Sequence, residues 1–149
     1  METEDEKLDY QEQFRLEREQ WKDKIKGLAF QLKSIRTVAE AQVDLFTQRQ
    51  LLLEYSYKLA AIVSKLNAKV RTENGRLLKS YSENNNIRYQ ANEKKVLIEG
   101  DISAILEKSD LVESHRRFID QTIQTIDHML YGIKSRIALE EYLRASTIK

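Results

Sequence analysis

The sequence predicts an all-α protein of long, coiled-coil-like helices with a helical hairpin, packed as a closed homo-oligomer. Three observations carry this. The chain has no proline and only four glycines in 149 residues, so little in its backbone chemistry stops a helix. Apolar residues recur at alternating spacings of four and three, the seam that seeks a partner helix. No segment alternates apolar and polar residues with the period of two that a half-buried strand needs.

The elements follow in order. Residues 1–20 carry eight acids and three bases, a net −5, and read as an acidic N-terminal extension to a helical domain over residues 21–149. The opening METEDEKLDY lacks an apolar core, so it is neither a secretory nor a transit signal. From Leu28 to Asn74 there is no glycine, and Leu28, Leu32, Ile35, Ala39, Phe46 and Leu53 form a row with Gln42 and Arg49 as polar members. The row extends backward through Ile25, Trp21 and Phe14. A second row runs Leu52, Tyr55, Leu59, Ile62, Leu66. This predicts one long helix, or two with a joint near Ser34–Thr37.

Asn74-Gly75 is the first expected helix stop, because glycine readily takes the left-handed conformation that closes a helix. Ser82 to Asn86 is the second, since these short polar side chains compete for backbone hydrogen bonds. A short helix is expected over Arg88–Ile98, then a joint at Gly100-Asp101. After Ser109, Asp110 and Glu113 have the spacing of a capping box. A last helix from Leu111 buries Ile119, Ile123, Ile126, Leu130, Ile133 and Ile137, with Phe118 and Met129 widening its face. With few short loops to fold such helices back, the seams are expected to be buried between copies. Gln42, Arg49 and Thr122 would then set register and copy number.

Enzyme chemistry finds no foothold. Cysteine is absent, which removes disulfides, thiolate ligands and a cysteine nucleophile. His115 and His128 are 13 residues apart, and neither has a partner at the helical spacing that a dyad or metal site needs, so both read as surface or seam residues. The glycines stand too far apart for a phosphate loop. No catalytic, cofactor or metal site is therefore expected. No apolar run approaches the length of a membrane span, and a cytoplasmic protein is expected.

Anion binding is better supported. Residues 58–95 hold nine bases and three acids, a net +6, between acidic flanks. Single-stranded nucleic acid needs cations that follow its phosphates and aromatic faces on which bases stack. Lys69, Arg71, Arg76, Lys79, Arg88, Lys94 and Lys95 supply the first, and Tyr81 and Tyr89 the second. A solvated helix–turn–helix with both tyrosines covering apolar neighbours presents the same composition, and composition alone does not separate the two. Arg116-Arg117, Lys134 with Arg136, and Lys22-Lys24-Lys26 are each flanked by acids and read as solvated faces.

From Val43 to Arg144 the chain resembles the UvsY-type recombination mediators of T4-like bacteriophages. The resemblance lies in the basic helix that carries Arg76, Leu77 and Tyr81-Ser82, in EKKVLIEGDISAIL, and in FIDQTIQTIDHMLYGIKSR, with Ile133-Lys134-Ser135-Arg136 its most specific part. It implies an all-helical subunit in a ring of six or seven, and a 21–149 domain that binds single-stranded DNA and oligomerises. It also implies contacts with a recombinase and a single-strand-binding protein, the second being exchanged for recombinase filament. The family's Lys-x-Arg core falls on Asn74-Gly75-Arg76, so the arginine carries over and the lysine does not. Lys69 and Lys79 are the nearby cations that would take its place. The alternative is a coiled-coil adaptor that bridges proteins and touches no nucleic acid. An amphipathic membrane-surface protein fits less well, because few cations border its apolar faces.

Overall fold

The computed structural model describes residues 2–83 and 90–147, with side chains from residue 9 onward. Among them the chain is all-α: α1 spans Glu2–Gln31, α2 Ile35–Glu83 and α3 Ala91–Thr147. The joint expected near Ser34–Thr37 is present. Ser34 caps α2 by accepting the Arg36 N–H at 3.3 Å, and the Thr37 hydroxyl donates to the carbonyls of Gln31 and Ser34.

Three expected breaks are absent. α2 runs through Asn74-Gly75, and α3 runs through Gly100-Asp101 and through Ser109–Glu113. The last helix therefore begins at Ala91 rather than Leu111, and no separate short helix precedes it. Neither Gly75 nor Gly100 takes a positive φ. A mid-helix glycine costs about 1 kcal/mol, which a helix anchored along its length by packing tolerates. The true cap of α3 is Gln90, whose N–H donates to the Glu93 carboxylate at 3.0 Å, half of a capping box. α2 ends at Glu83, within the expected Ser82–Asn86 stop, whose asparagines lie outside the described residues.

The three helices contribute to two compact units. Unit 1 comprises residues 1–14 and 57–116, and unit 2 residues 15–56 and 117–149. The position-20 boundary falls inside α1. In unit 2, Leu28 of α1 and Ala41, Leu45 and Leu52 of α2 are buried, with Ile119, Thr122, Ile126 and Ile133 of α3. Polar contacts edge this core: Arg49 Nε donates to Asp127 Oδ1 at 2.6 Å, Ser56 to Asp120 at 2.7 Å, and Tyr55 to Glu17 at 2.7 Å. Arg136 donates to the Leu32 carbonyl at the α1 C-terminus, at 2.5 Å.

In unit 1, Phe14 stacks on His115 with ring centroids 4.0 Å apart and planes at 9°, both side chains fully buried. Leu59, Ile98, Ile102, Ile105 and Val112 complete the core, and Ser109 donates to Asn67 at 3.0 Å. His115 is thus a core residue, within the seam reading.

The α2 row needs correction. Its buried face is Ala41, Leu45, Leu52, Leu59, whereas Ile35 and Phe46 of the expected first row are exposed and Leu53 is half-buried. Leu45-Phe46 and Leu52-Leu53 are adjacent apolar pairs, so two registers compete. The break at residues 32–34 also resets the helical phase, so a row carried across it from α1 starts on the wrong face. The second row, with Leu52 and Leu59 buried and Tyr55, Ile62 and Leu66 half-buried, has the correct phase. In α3 all the expected apolar positions are at least half-buried except Ile137, at 44% exposed. The residues expected at seams between copies lie within one chain. Thr122 is buried in the unit 2 core, Arg49 sits at its edge, and Gln42 is half-buried.

Candidate nucleic-acid interface

α2 is unbroken helix from Tyr57 to Glu83, so its side chains are distributed at 100° per residue. On that wheel Lys58, Lys65, Lys69 and Arg76 fall within about 40° of arc, with Lys79 about 60° further round. All five are exposed. The row lies about 100° around the helix from the buried Leu59. Seven- and four-residue steps generate such a line on any long helix. Lys58 and Lys65 were not among the residues singled out from the sequence, although the heptad spacing to Lys69 and Arg76 is the signal that finds them.

Arg76 is exposed and paired within its own helix, Nε and NH2 lying 3.0 and 2.8 Å from Glu73 Oε2. The hydrogen bond and charge of Glu73 hold the guanidinium above its ordinary value, so it is cationic at every working pH. An exposed pair of this kind exchanges carboxylate for phosphate at little cost.

The other sequence-selected residues separate. Arg71 lies about 140° around α2 from the cationic row, and Lys94 and Lys95 of α3 line a groove with Asn74 and Leu78 of α2. Lys94 Nζ reaches Ser82 Oγ at 3.4 Å across the two helices. Tyr81 is half-buried, and its phenol donates to Asp101 Oδ2 at 2.6 Å, tying α2 to α3. Its ring is committed to helix packing. Tyr57 is 74% exposed but lies about 100° around α2 from the cationic row. Arg88 and Tyr89 lie outside the described residues. Lys69, Arg76 and Lys79 therefore lie on one side of α2, Lys94 and Lys95 line a groove together, and Arg71 and Tyr81 join neither.

Among the described residues, no three His, Asp or Glu side chains converge as metal ligands, and no helix is long and apolar enough to cross a membrane. Comparison with protein-family models, with curated proteins and with solved structures returns no match.

Proposed function

We propose that this chain is a single-stranded-DNA-binding recombination mediator. It oligomerises, holds DNA on the cationic row of α2, and promotes loading of a recombinase in place of the single-strand-binding protein, in the host cytoplasm if it is phage-encoded. The observation that carries the reading is the exposed line Lys58, Lys65, Lys69 and Arg76, with Lys79 beside it. Such a line meets successive phosphates of a flexible strand without reading bases, which is what a mediator acting at any sequence requires. Several copies in a ring of six or seven would multiply weak contacts into firm binding. The mechanism is non-covalent throughout.

The test is fluorescence anisotropy of labelled oligo-dT across a salt series. Wild type should bind with a steep negative salt dependence. Lys65→Ala/Lys69→Ala/Arg76→Ala, three phosphate contacts fewer, should flatten the log–log slope by about 2. Salt-insensitive binding, or a triple variant indistinguishable from wild type, sinks the reading.

A coiled-coil adaptor that bridges proteins is favoured by a separate observation in unit 2. Phe46, Tyr131 and Ile137 line an open apolar groove beside Lys134, and Leu139, Tyr142 and Leu143 are exposed near the end of α3. Absence of any oligo-dT binding at low salt would leave this reading standing.

A further inference from the structure

The cationic row of α2 supplies charge without a ring for bases to stack on, since Tyr81 is tied to Asp101 and Tyr57 lies off the row. Unit 2 holds rings and cations together. Between α1 and α3 it forms an open groove of about 300 Å³, at the lower end of the roughly 300–1,000 Å³ of ligand pockets. Trp21 and Ile25 of α1 line it with Phe118 and Thr122 of α3. Lys22 and Lys26 border it on α1, and Thr125 on α3. All of these residues belong to unit 2, whereas the α2 row belongs to unit 1.

The spacing builds the groove. Trp21 with Ile25, and Phe118 with Thr122, are i, i+4 pairs that each form a strip along one helix face. Leu28 on α1 and Ile119 and Ile126 on α3 are buried in the unit 2 core, while both rings stay half-buried at its margin. Lys22 and Lys26 repeat the same spacing one residue later, about 100° further round α1, and are exposed. Arg18 stands one turn before Lys22, so these cations run along about 12 Å of the helix. The Lys24 ammonium adds charge from 4.8 Å above the Trp21 ring centroid.

Acids do not cancel this field. Among the described residues lining the groove none is acidic. Glu19, on the same side of α1, is paired with Arg15 at 2.8 Å, and Asp23 lies about 100° round from Lys22. Asp120 and Asp127 of α3 are engaged by Ser56 and Arg49 of α2. An apolar partner would leave the lysines unused, and a free phosphate would leave the rings unused. A nucleotide uses both, and its phosphates need cations along one border only.

We propose that this groove is a second contact for single-stranded nucleic acid, with one base against Trp21 and Phe118 and the adjoining phosphates on Lys22 and Lys26. It rests on the reading of the chain as a single-stranded-DNA-binding protein, and it adds the stacking contact that the α2 row lacks.

Trp21 is the chain's single tryptophan, so its emission reports on the groove. The full chain is titrated at low salt with oligo-dT of about eight nucleotides and with an abasic strand of equal length. Anisotropy of the labelled strands gives their affinities in parallel. Oligo-dT should quench Trp21 saturably, whereas the abasic strand should bind about tenfold more weakly and leave the emission unchanged. Phe118→Leu keeps the apolar bulk and should cost oligo-dT about tenfold, with no effect on the abasic strand. Lys22→Ala/Lys26→Ala alters exposed positions only and should flatten the log–log salt slope by about 1.4. Circular dichroism verifies the fold of each variant. Quenching should persist in Lys65→Ala/Lys69→Ala/Arg76→Ala at higher strand concentration. Tight oligo-dT binding with unchanged emission, and with Lys22→Ala/Lys26→Ala equal to wild type, overturns the groove site and leaves the α2 row standing. Equal affinity and quenching by the abasic strand overturn it as well, because no base is then held. So does quenching that is lost in the α2 triple variant but kept in Lys22→Ala/Lys26→Ala. Absence of any oligo-dT binding overturns both the groove site and the DNA-binding reading.

Discussion

At the scale of residues, the register of α2 is the point on which neighbouring side chains differ most. Leu45 is fully buried and Phe46 is 55% exposed, although Phe is the larger and more apolar of the two. Truncating Leu45 removes packed atoms from a core that relaxes only partly, so Leu45→Ala should cost about 2–5 kcal/mol. Phe46→Ala strips a ring already half in water and should cost well under half as much. Urea unfolding of both variants at one low protein concentration measures the difference, and a larger loss for Phe46 would invert the register. The same scale explains what of the binding face was readable. Arg76 and Lys69 stand out in the sequence because cations cluster around them. Lys58 and Lys65 emerge only once α2 is known to continue unbroken, because their relation to Arg76 is angular rather than local. Tyr81 misled for the converse reason. Its position among cations suggested a stacking platform, whereas its partner, Asp101, lies 20 residues away on another helix.

At the scale of elements, the interior glycines are the feature that sequence rules weighed too heavily. Gly75 and Gly100 looked like stops because glycine tolerates backbone conformations that end helices. Here both are ordinary helical residues, and a Cβ built on either meets nothing within 4 Å. Replacing them by alanine reduces the freedom of the unfolded chain and adds no clash. Gly75→Ala/Gly100→Ala should therefore raise stability by about 1–2 kcal/mol for the pair, seen as a higher thermal midpoint with unchanged helical signal. A loss of stability would mean that one of these positions bends or breaks the helix in solution. Helix content itself was legible throughout, because the absence of proline and the four-three spacing act on each turn locally. Helix ends were less so. Ser34 lies near the predicted joint, but the cap at Gln90 and Glu93 is not legible, since glutamine is a weak signal for a cap and its neighbours Arg88 and Tyr89 read as helical in the sequence. Burial within one chain was not legible, because long helices with few loops suggest partners.

At the scale of the whole molecule, the question is what becomes of the apolar surface that the two units leave uncovered. α3 continues beyond Arg136, which closes the C-terminus of α1, and residues 141–147 are all exposed. Leu139, Tyr142 and Leu143, at 58, 70 and 53% exposure, sit at i, i+3 and i+4 on one side of this stretch. A stretch this short has little helical stability of its own in water, and an apolar stripe on it gains most from a partner. On the proposed reading that partner is a second copy, and closure into a ring places several cationic rows on one DNA strand. Self-association and DNA affinity should then fall together. Leu139→Glu/Leu143→Glu puts two charges into the stripe without touching Lys58, Lys65, Lys69 or Arg76, so each subunit's own row is unchanged. Light scattering should register a drop from oligomer to monomer, and oligo-dT affinity at fixed salt should weaken by about a hundredfold, as expected when linked sites are separated. A monomer that still binds oligo-dT as tightly as wild type would place all the affinity in one subunit and remove the need for a ring. An oligomer that survives both substitutions would shift the association surface to the groove of Phe46, Tyr131 and Ile137, where charge placed at Phe46 is the corresponding test.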